Sequence, residues 1–234
     1  MRFILVGASH SVAILEAAEA SGIPVRFFHI KKAISRSTPG PVLSPKLRSS
    51  LDNCSDTIFS SIGGNAHNNF GLIEHSKPFD FIHPDFPALR RPGASGFEWI
   101  PYSAIKDRMK KAVGLWLDSL RTLAELYPGR VKHLESPPQI EDETFIRNHL
   151  HARRLRYLGN KPYQISDHHL RYKLWRLNSD IFAESCRECG IEFIPVPPES
   201  MDGNGFLRPD FWSNPTHANA AYGALVIKQM VDAQ

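Results

Sequence analysis

A regular alternation of short apolar runs with helical patterns constrains this fold most. Phe3–Val6, Val25–Ile30, Asp56–Ser61, Arg130–Glu135 and Glu192–Val196 have strand character. Between most of them apolar residues recur at helical spacing. In Ser103–Tyr127 the stripe is Ile105, Met109, Ala112, Val113, Trp116, Leu120 and Leu123, with Ser103 as N-cap and Pro128-Gly129 as the stop. His168–Cys189 repeats the logic with Leu170, Leu174, Leu177 and Ile181, and Gly190 is placed to cap its end. A last helix is expected from about Pro215, with Asn214 as its cap, carrying Ala221, Tyr222, Leu225 and Met230. Strands that alternate with helices form a mostly parallel sheet covered on both faces. The expectation is a three-layer α/β fold, and 234 residues suit one domain, 1–234. Segments 70–101 and 140–166 depart from the alternation and are expected to be lids or insertions.

Composition narrows the function classes. Hydrophobic residues make up 42% and charged residues 22%, which is ordinary for a folded globular chain. No run reaches the roughly 18 apolar residues that a membrane span needs. Arg2 opens a short strand rather than a signal sequence, and three cysteines do not suggest a disulfide framework, so a cytoplasmic location is expected. The net charge of +4 is modest, but Arg153, Arg154, Arg156, Lys161, Arg171, Lys173 and Arg176 cluster. A solvated helix face is the first reading, and recognition of an anionic substrate or acyl carrier the second. Tyr157, Tyr163, Tyr172 and Trp175 interleave with these charges without a nucleic-acid-binding motif, so no nucleic acid is expected. Cys186 and Cys189 end a helix, where a thiolate gains nothing from the helix, and no second pair completes a zinc site. His149 and His151, and His168 and His169, are not spaced to share a metal on one helix face. The turn after the first strand lacks both G-x-G-x-x-G and G-K-[ST], so no nucleotide cofactor is expected.

The chemistry gathers at three places. In MRFILVGASHS a serine stands where a buried strand turns into a helix. Its hydroxyl then lies at the carboxyl end of the strand and its amide at a helix N-terminus, which suits a nucleophile whose own N–H binds the oxyanion it creates. Helix capping would suit the same residue. Ser60–Asn68 follows a second strand-like run and contains Gly63-Gly64-Asn65; Asn214-Pro215-Thr216-His217 comes late. Ligands of parallel sheets sit at the carboxyl ends of the strands, which is an independent reason to place Ser9 beside Asn65. Acyl transfer needs a nucleophile, a base and an oxyanion hole, and these blocks offer all three.

Gly7-Ala8-Ser9-His10, Gly63-Gly64-Asn65 and His217, in that order, resemble the SGNH (GDSL-like) hydrolases, in the branch whose nucleophile block reads G-x-S-H. The resemblance implies an SGNH/flavodoxin-like fold over the whole chain. It also implies Ser9 as nucleophile, His217 as base, and an oxyanion hole from Ser9, Gly64 and Asn65. His10 and His67 flank the nucleophile and the oxyanion donor and could line a substrate pocket. A further oxyanion glycine would follow the second strand, where Gly40 is the nearest and no pattern fixes it. Two departures stand out. Ala66 replaces a frequent Asp, and Asn214 replaces the Asp that orients the histidine and stabilises its cation. A Ser9–His217 dyad could suffice, Asp210 or Asp202 could supply the carboxylate, or the site could be impaired. The implied activity is metal-independent and cofactor-free hydrolysis of a small-molecule or saccharide O-acyl ester through an acyl-enzyme. The alternatives are an O-acyltransferase using the same site and a catalytically silent ligand-binding protein.

Overall fold

The computed structural model describes residues 3–35, 37, 40–90, 96–150 and 162–234. Its strands are β1 (Phe3–Gly7), β2 (Val25–His29), β3 (Ile34–Ser35), β4 (Val42–Leu43), β5 (Ile58–Ser61), β6 (Phe79–Asp80), β7 (Glu98–Trp99), β8 (Val131–Leu134), β9 (Glu192–Ile194), β10 (Trp212–Asn214) and β11 (His217–Ala218). Its helices of α type are α1 (Ser11–Ala20), α2 (Ile30–Ala33), α3 (Pro45–Asp52), α4 (Ala66–Gly71), α5 (Tyr102–Leu126), α6 (Glu143–Asn148), α7 (His168–Glu188) and α8 (Ala220–Asp232). The five expected strand runs form one sheet in the order β2-β1-β5-β8-β9, and every neighbouring pair is parallel. The chain therefore steps one way from β1 to β2 and the other way from β1 to β5. The crevice between the carboxyl ends of β1 and β5 is the topological switch point, where such sheets bind ligands.

Alternation along β1 builds the two cores. Ile4 and Val6 face a layer made by α3, α5 and α7, among Leu47, Met109, Val113 and Leu174. Phe3 and Leu5 face the opposite layer, among Ile14 and Ala17 of α1 and Tyr222 and Val226 of α8. Successive strand side chains point to opposite faces, so one short apolar run serves both cores. The helices α1 and α8 touch closely: a Cβ on Gly223 would lie 1.9 Å from the Ala13 carbonyl oxygen. A glycine is required there for packing alone.

Several sequence expectations are corrected. The last helix starts at Ala220, not near Pro215, and its cap is Asn219, whose Oδ1 accepts from the amides of Ala221 at 3.0 Å and Tyr222 at 3.2 Å. Pro101, not Ser103, precedes the first turn of α5. Two described members of the basic cluster do not lie on a solvated face. Arg171 and Lys173 are buried. Arg171 donates to the backbone oxygens of Ser166, Ile140 and Glu141, tying α7 to the turn before α6. Lys173 Nζ sits 2.5 Å from Asp80 Oδ1 and 2.8 Å from the Phe81 oxygen. Both cations are therefore spoken for by the fold. Arg153, Arg154, Arg156 and Lys161 lie outside the described residues, as does part of 140–166. Within 70–101 the described chain forms β6 and β7, a parallel pair that joins Phe79 to Glu98. No helix among the described residues is long and apolar enough to cross a membrane.

Candidate active site

The site begins with the turn that carries β1 into α1. A Cβ on Gly7 would stand 2.1 Å from Ser11 Oγ and 2.2 Å from Ser61 Oγ, so only glycine fits. Those two hydroxyls bond each other at 2.7 Å, clamping the start of α1 to the end of β5. Ser9 is left exposed in the turn. It does not cap the helix: His10 occupies the cap position, and no side-chain cap bond is made. The Ser9 hydroxyl oxygen instead lies 3.5 Å from Asn65 Nδ2.

Asn65 is oriented from below. Its Oδ1 accepts from Asn68 Nδ2 at 2.9 Å, which turns its own NH2 towards the cleft. Asn65 Nδ2 also lies 3.4 Å from His217 Nε2. On the far side of that ring, Nδ1 is 2.9 Å from Asn214 Oδ1. An amide oxygen only accepts, so Nδ1 carries the proton and the Nε2 lone pair faces the Asn65 amide. Asn214 is itself fixed, since its Oδ1 also accepts from the Thr216 amide at 3.1 Å and the Thr216 hydroxyl at 3.3 Å. The two carboxylates considered as substitutes are engaged elsewhere. Asp210 pairs with Arg208 at 2.7 Å, and Asp202 accepts from the Asn204 and Phe206 amides. The structure thus brings Ser9, Asn65, His217 and Asn214 together and keeps Asp210 and Asp202 out.

The flanking residues are close-packed. The His10 and His217 rings have centroids 4.9 Å apart. A Cβ on Gly64 would meet His10 Cδ2 at 2.8 Å and Ser136 Cβ at 2.9 Å, so this glycine lets His10 lie against the backbone. Gly63 has φ +75°, a left-handed conformation suited to glycine, and packs on the Phe182 ring. His67 is buried beneath, its Nε2 3.0 Å from Asn68 Nδ2. Gly40 is not among the residues of the cleft. Ser9, His10, Gly64 and Asn65 border one side of a cleft of about 320 Å³, walled further out by Ile30, Lys31, Phe70, Ala112 and Trp116.

Comparison with solved structures places this fold in a known setting. An extracellular lipase from Streptomyces rimosus superposes with a TM-score of 0.50 at 13% identity, covering 100% of this chain and 99% of that one. A Streptococcus pneumonia protein assigned provisionally as a platelet activating factor superposes with a TM-score of 0.52 at 14% identity, covering 99% and 82%. A GDSL-like lipase from Bacteroides thetaiotaomicron gives 0.49 at 14% identity, covering 100% and 89%. The chain shares the α/β fold of the Streptomyces rimosus lipase. No protein-family model matches the sequence, and no curated protein does.

Within this fold, two features of the site escaped the sequence. Asn68 orients Asn65, and its signal was the spacing of three within Asn65-Ala66-His67-Asn68, which places both on one face of α4. Ala112 and Trp116 read as core because they fall on the apolar stripe of α5. They lie at its edge, where the stripe rolls out of the core into the cleft.

A second polar cluster lies outside the cleft, where His83, Asp85 and Asp180 bring ligand atoms within 4.8 Å of one another. Its hydrogen bonding does not suit a metal. His83 Nδ1 accepts from the Asp85 amide at 3.3 Å, so a neutral ring carries its proton on Nε2, the nitrogen 3.2 Å from Asp180 Oδ2. Arg176 also approaches Asp180 at 3.5 Å. Asp180 is thus shared between His83 and Arg176.

Two buried histidines give the fold an acid sensitivity. Burial, then the neighbouring His217, brings the His10 pKa down to about 3, against a smaller opposing effect of Asn65. Burial alone brings His133 to about 3; its ring stacks on Phe182 at 4.9 Å. Both are neutral in the fold and take up protons near pH 6.5 when unfolded. The unfolded chain binds the extra protons, so their stability contribution is complete above pH 6.5 and is lost as pH falls from there towards 3. Urea unfolding at about pH 7 and pH 5 is expected to differ by roughly 1–2 kcal/mol per histidine. His133→Phe should remove part of that dependence; equal stability at the two pH values would contradict it.

Proposed function

We propose that this chain is a serine esterase that forms an acyl-enzyme on Ser9, with His217 as base and Asn65 as oxyanion donor. The observation that carries the reading is the position of Asn65 Nδ2, 3.5 Å from Ser9 Oγ and 3.4 Å from His217 Nε2, with the far side of the ring held by Asn214. Ser9 Oγ attacks the ester carbonyl carbon while its proton passes to Nε2. The carbonyl oxygen takes up the negative charge, and the Asn65 NH2 turns to it, helped by the Ser9 amide. The imidazolium then gives its proton to the departing alcohol. Water repeats the sequence in reverse and releases the carboxylic acid and free Ser9. The lipase that shares the fold acts in the same broad chemistry, which supports the reading.

Asn214 supports a working base rather than a silent site, because its amide oxygen selects the tautomer the mechanism needs. It lacks only the charge that would stabilise the imidazolium. Asn214→Asp is therefore expected to raise kcat on p-nitrophenyl acetate by about 10- to 100-fold, or roughly 1.4–2.8 kcal/mol. The decisive experiment is intact-mass and peptide analysis after mixing with that ester. An acetyl group on Ser9 is expected; no acylation and no turnover, by the wild type or by Asn214→Asp, would overturn the esterase reading.

A further inference from the structure

Resting on that reading, we infer that the cleft receives the acyl half of the substrate, and that this acyl group is extended and ends in a carboxylate held by Lys31. The side of attack follows from where the base stands. His217 must protonate the departing alcohol, so the alcohol lies on the His217 side of Ser9. The walls of the 320 Å³ cleft include Ser9 and Asn65 but not His217, which instead borders a space of about 10 Å³ with Pro137, Ile140 and Pro215. The larger space thus lies on the acyl side, and it exceeds what an acetyl group fills.

The chemistry of its walls selects the acyl group. Ile30, Phe70, Ala112 and Trp116 offer apolar surface, with Ala112 and Trp116 one turn apart on α5. Lys31 is the one cation among the described wall residues, and no carboxylate accompanies it. Its placement is set by the sheet. Gly7 pairs with His29 across β1 and β2, so the turn that carries Ser9 and the helix that carries Lys31 leave the carboxyl ends of neighbouring strands. The Lys31 side chain is exposed and has no ion-pair partner among the described residues. A chain of methylenes against the apolar wall, with an oxyanion at its far end, satisfies both features.

Two 4-nitrophenyl esters of equal chain length and the same leaving group test this directly: the hexanoate and the hydrogen adipate. The parent is expected to prefer the adipate. Lys31→Gln should lower kcat/KM on the adipate by about tenfold, the size of one hydrogen bond to a charged group, and leave the hexanoate within twofold. Lys31→Arg should restore most of the loss, and raised salt should weaken the preference. Moving the carboxylate to the alcohol, as in 4-acetoxybenzoate against 4-acetoxybenzamide, should give no Lys31-dependent preference. Ser9-dependent turnover of the hexanoate without an adipate preference, or equal slowing of both esters by Lys31→Gln, overturns this inference and leaves the esterase standing. Failure of every ester to acylate Ser9 overturns both.

Discussion

Ser9→Ala is expected to lower kcat on p-nitrophenyl acetate by about three to six orders of magnitude, the range seen when a nucleophile is removed from a preorganised acyl-transfer site. Stability should stay within about 0.5 kcal/mol, because the exposed hydroxyl makes a single long contact, with Asn65 at 3.5 Å. That pairing of a large kinetic effect with a negligible thermal one separates chemistry from folding. Asn65→Ala should act differently, costing about 10²–10³ in kcat while acylation of Ser9 remains detectable. A Ser9→Ala protein that retains more than about a tenth of the parent turnover would move the nucleophile elsewhere.

Lys173→Met is expected to destabilise the fold by about 3–5 kcal/mol in urea unfolding, because it leaves a buried carboxylate without its counter-charge. Lys173 and Asp80 are 0% and 1% exposed and 2.5 Å apart. The ammonium also donates to the Phe81 oxygen and lies 5.2 Å from the centre of the Phe81 ring. Removing both charges, as Lys173→Met with Asp80→Leu, should cost less than the single change. Recovery will be partial, since Asp80 Oδ1 also accepts from the Phe81 amide at 2.8 Å. A single variant within about 1 kcal/mol of the parent would show that water or a neighbour compensates the buried acid.

The centre of the sheet was legible in the sequence because β1 and β5 are buried throughout and β1 reads as an uninterrupted apolar run. The order of the strands placed Ser9 and Asn65 at one crevice, which needed only the rule for parallel sheets. The reading of Asn214 as a helix cap failed for a physical reason. An asparagine can accept amide protons at a helix start or in a tight turn, and here the turn wins: Asn214 Oδ1 serves Thr216 and His217, while Asn219 starts the helix. Arg171 and Lys173 were misread because residue type predicts exposure, while their partners, Ile140 and Asp80, lie 31 and 93 residues away. Long-range pairing of that kind leaves no local trace. The same holds for Lys31, which borders the cleft with Ser9 from a helix that follows the neighbouring strand.

The close seat of Gly223 on Ala13 sets a timetable for a growing chain. Ser9 and Asn65 leave the ribosome early, but His217 is steered by β10 and β11 and by α8, whose seat is the first helix. Until that late helix has emerged and docked, the proposed nucleophile has no base. On the proposed mechanism ester turnover is expected only once α8 has docked, so its onset during synthesis would time that step.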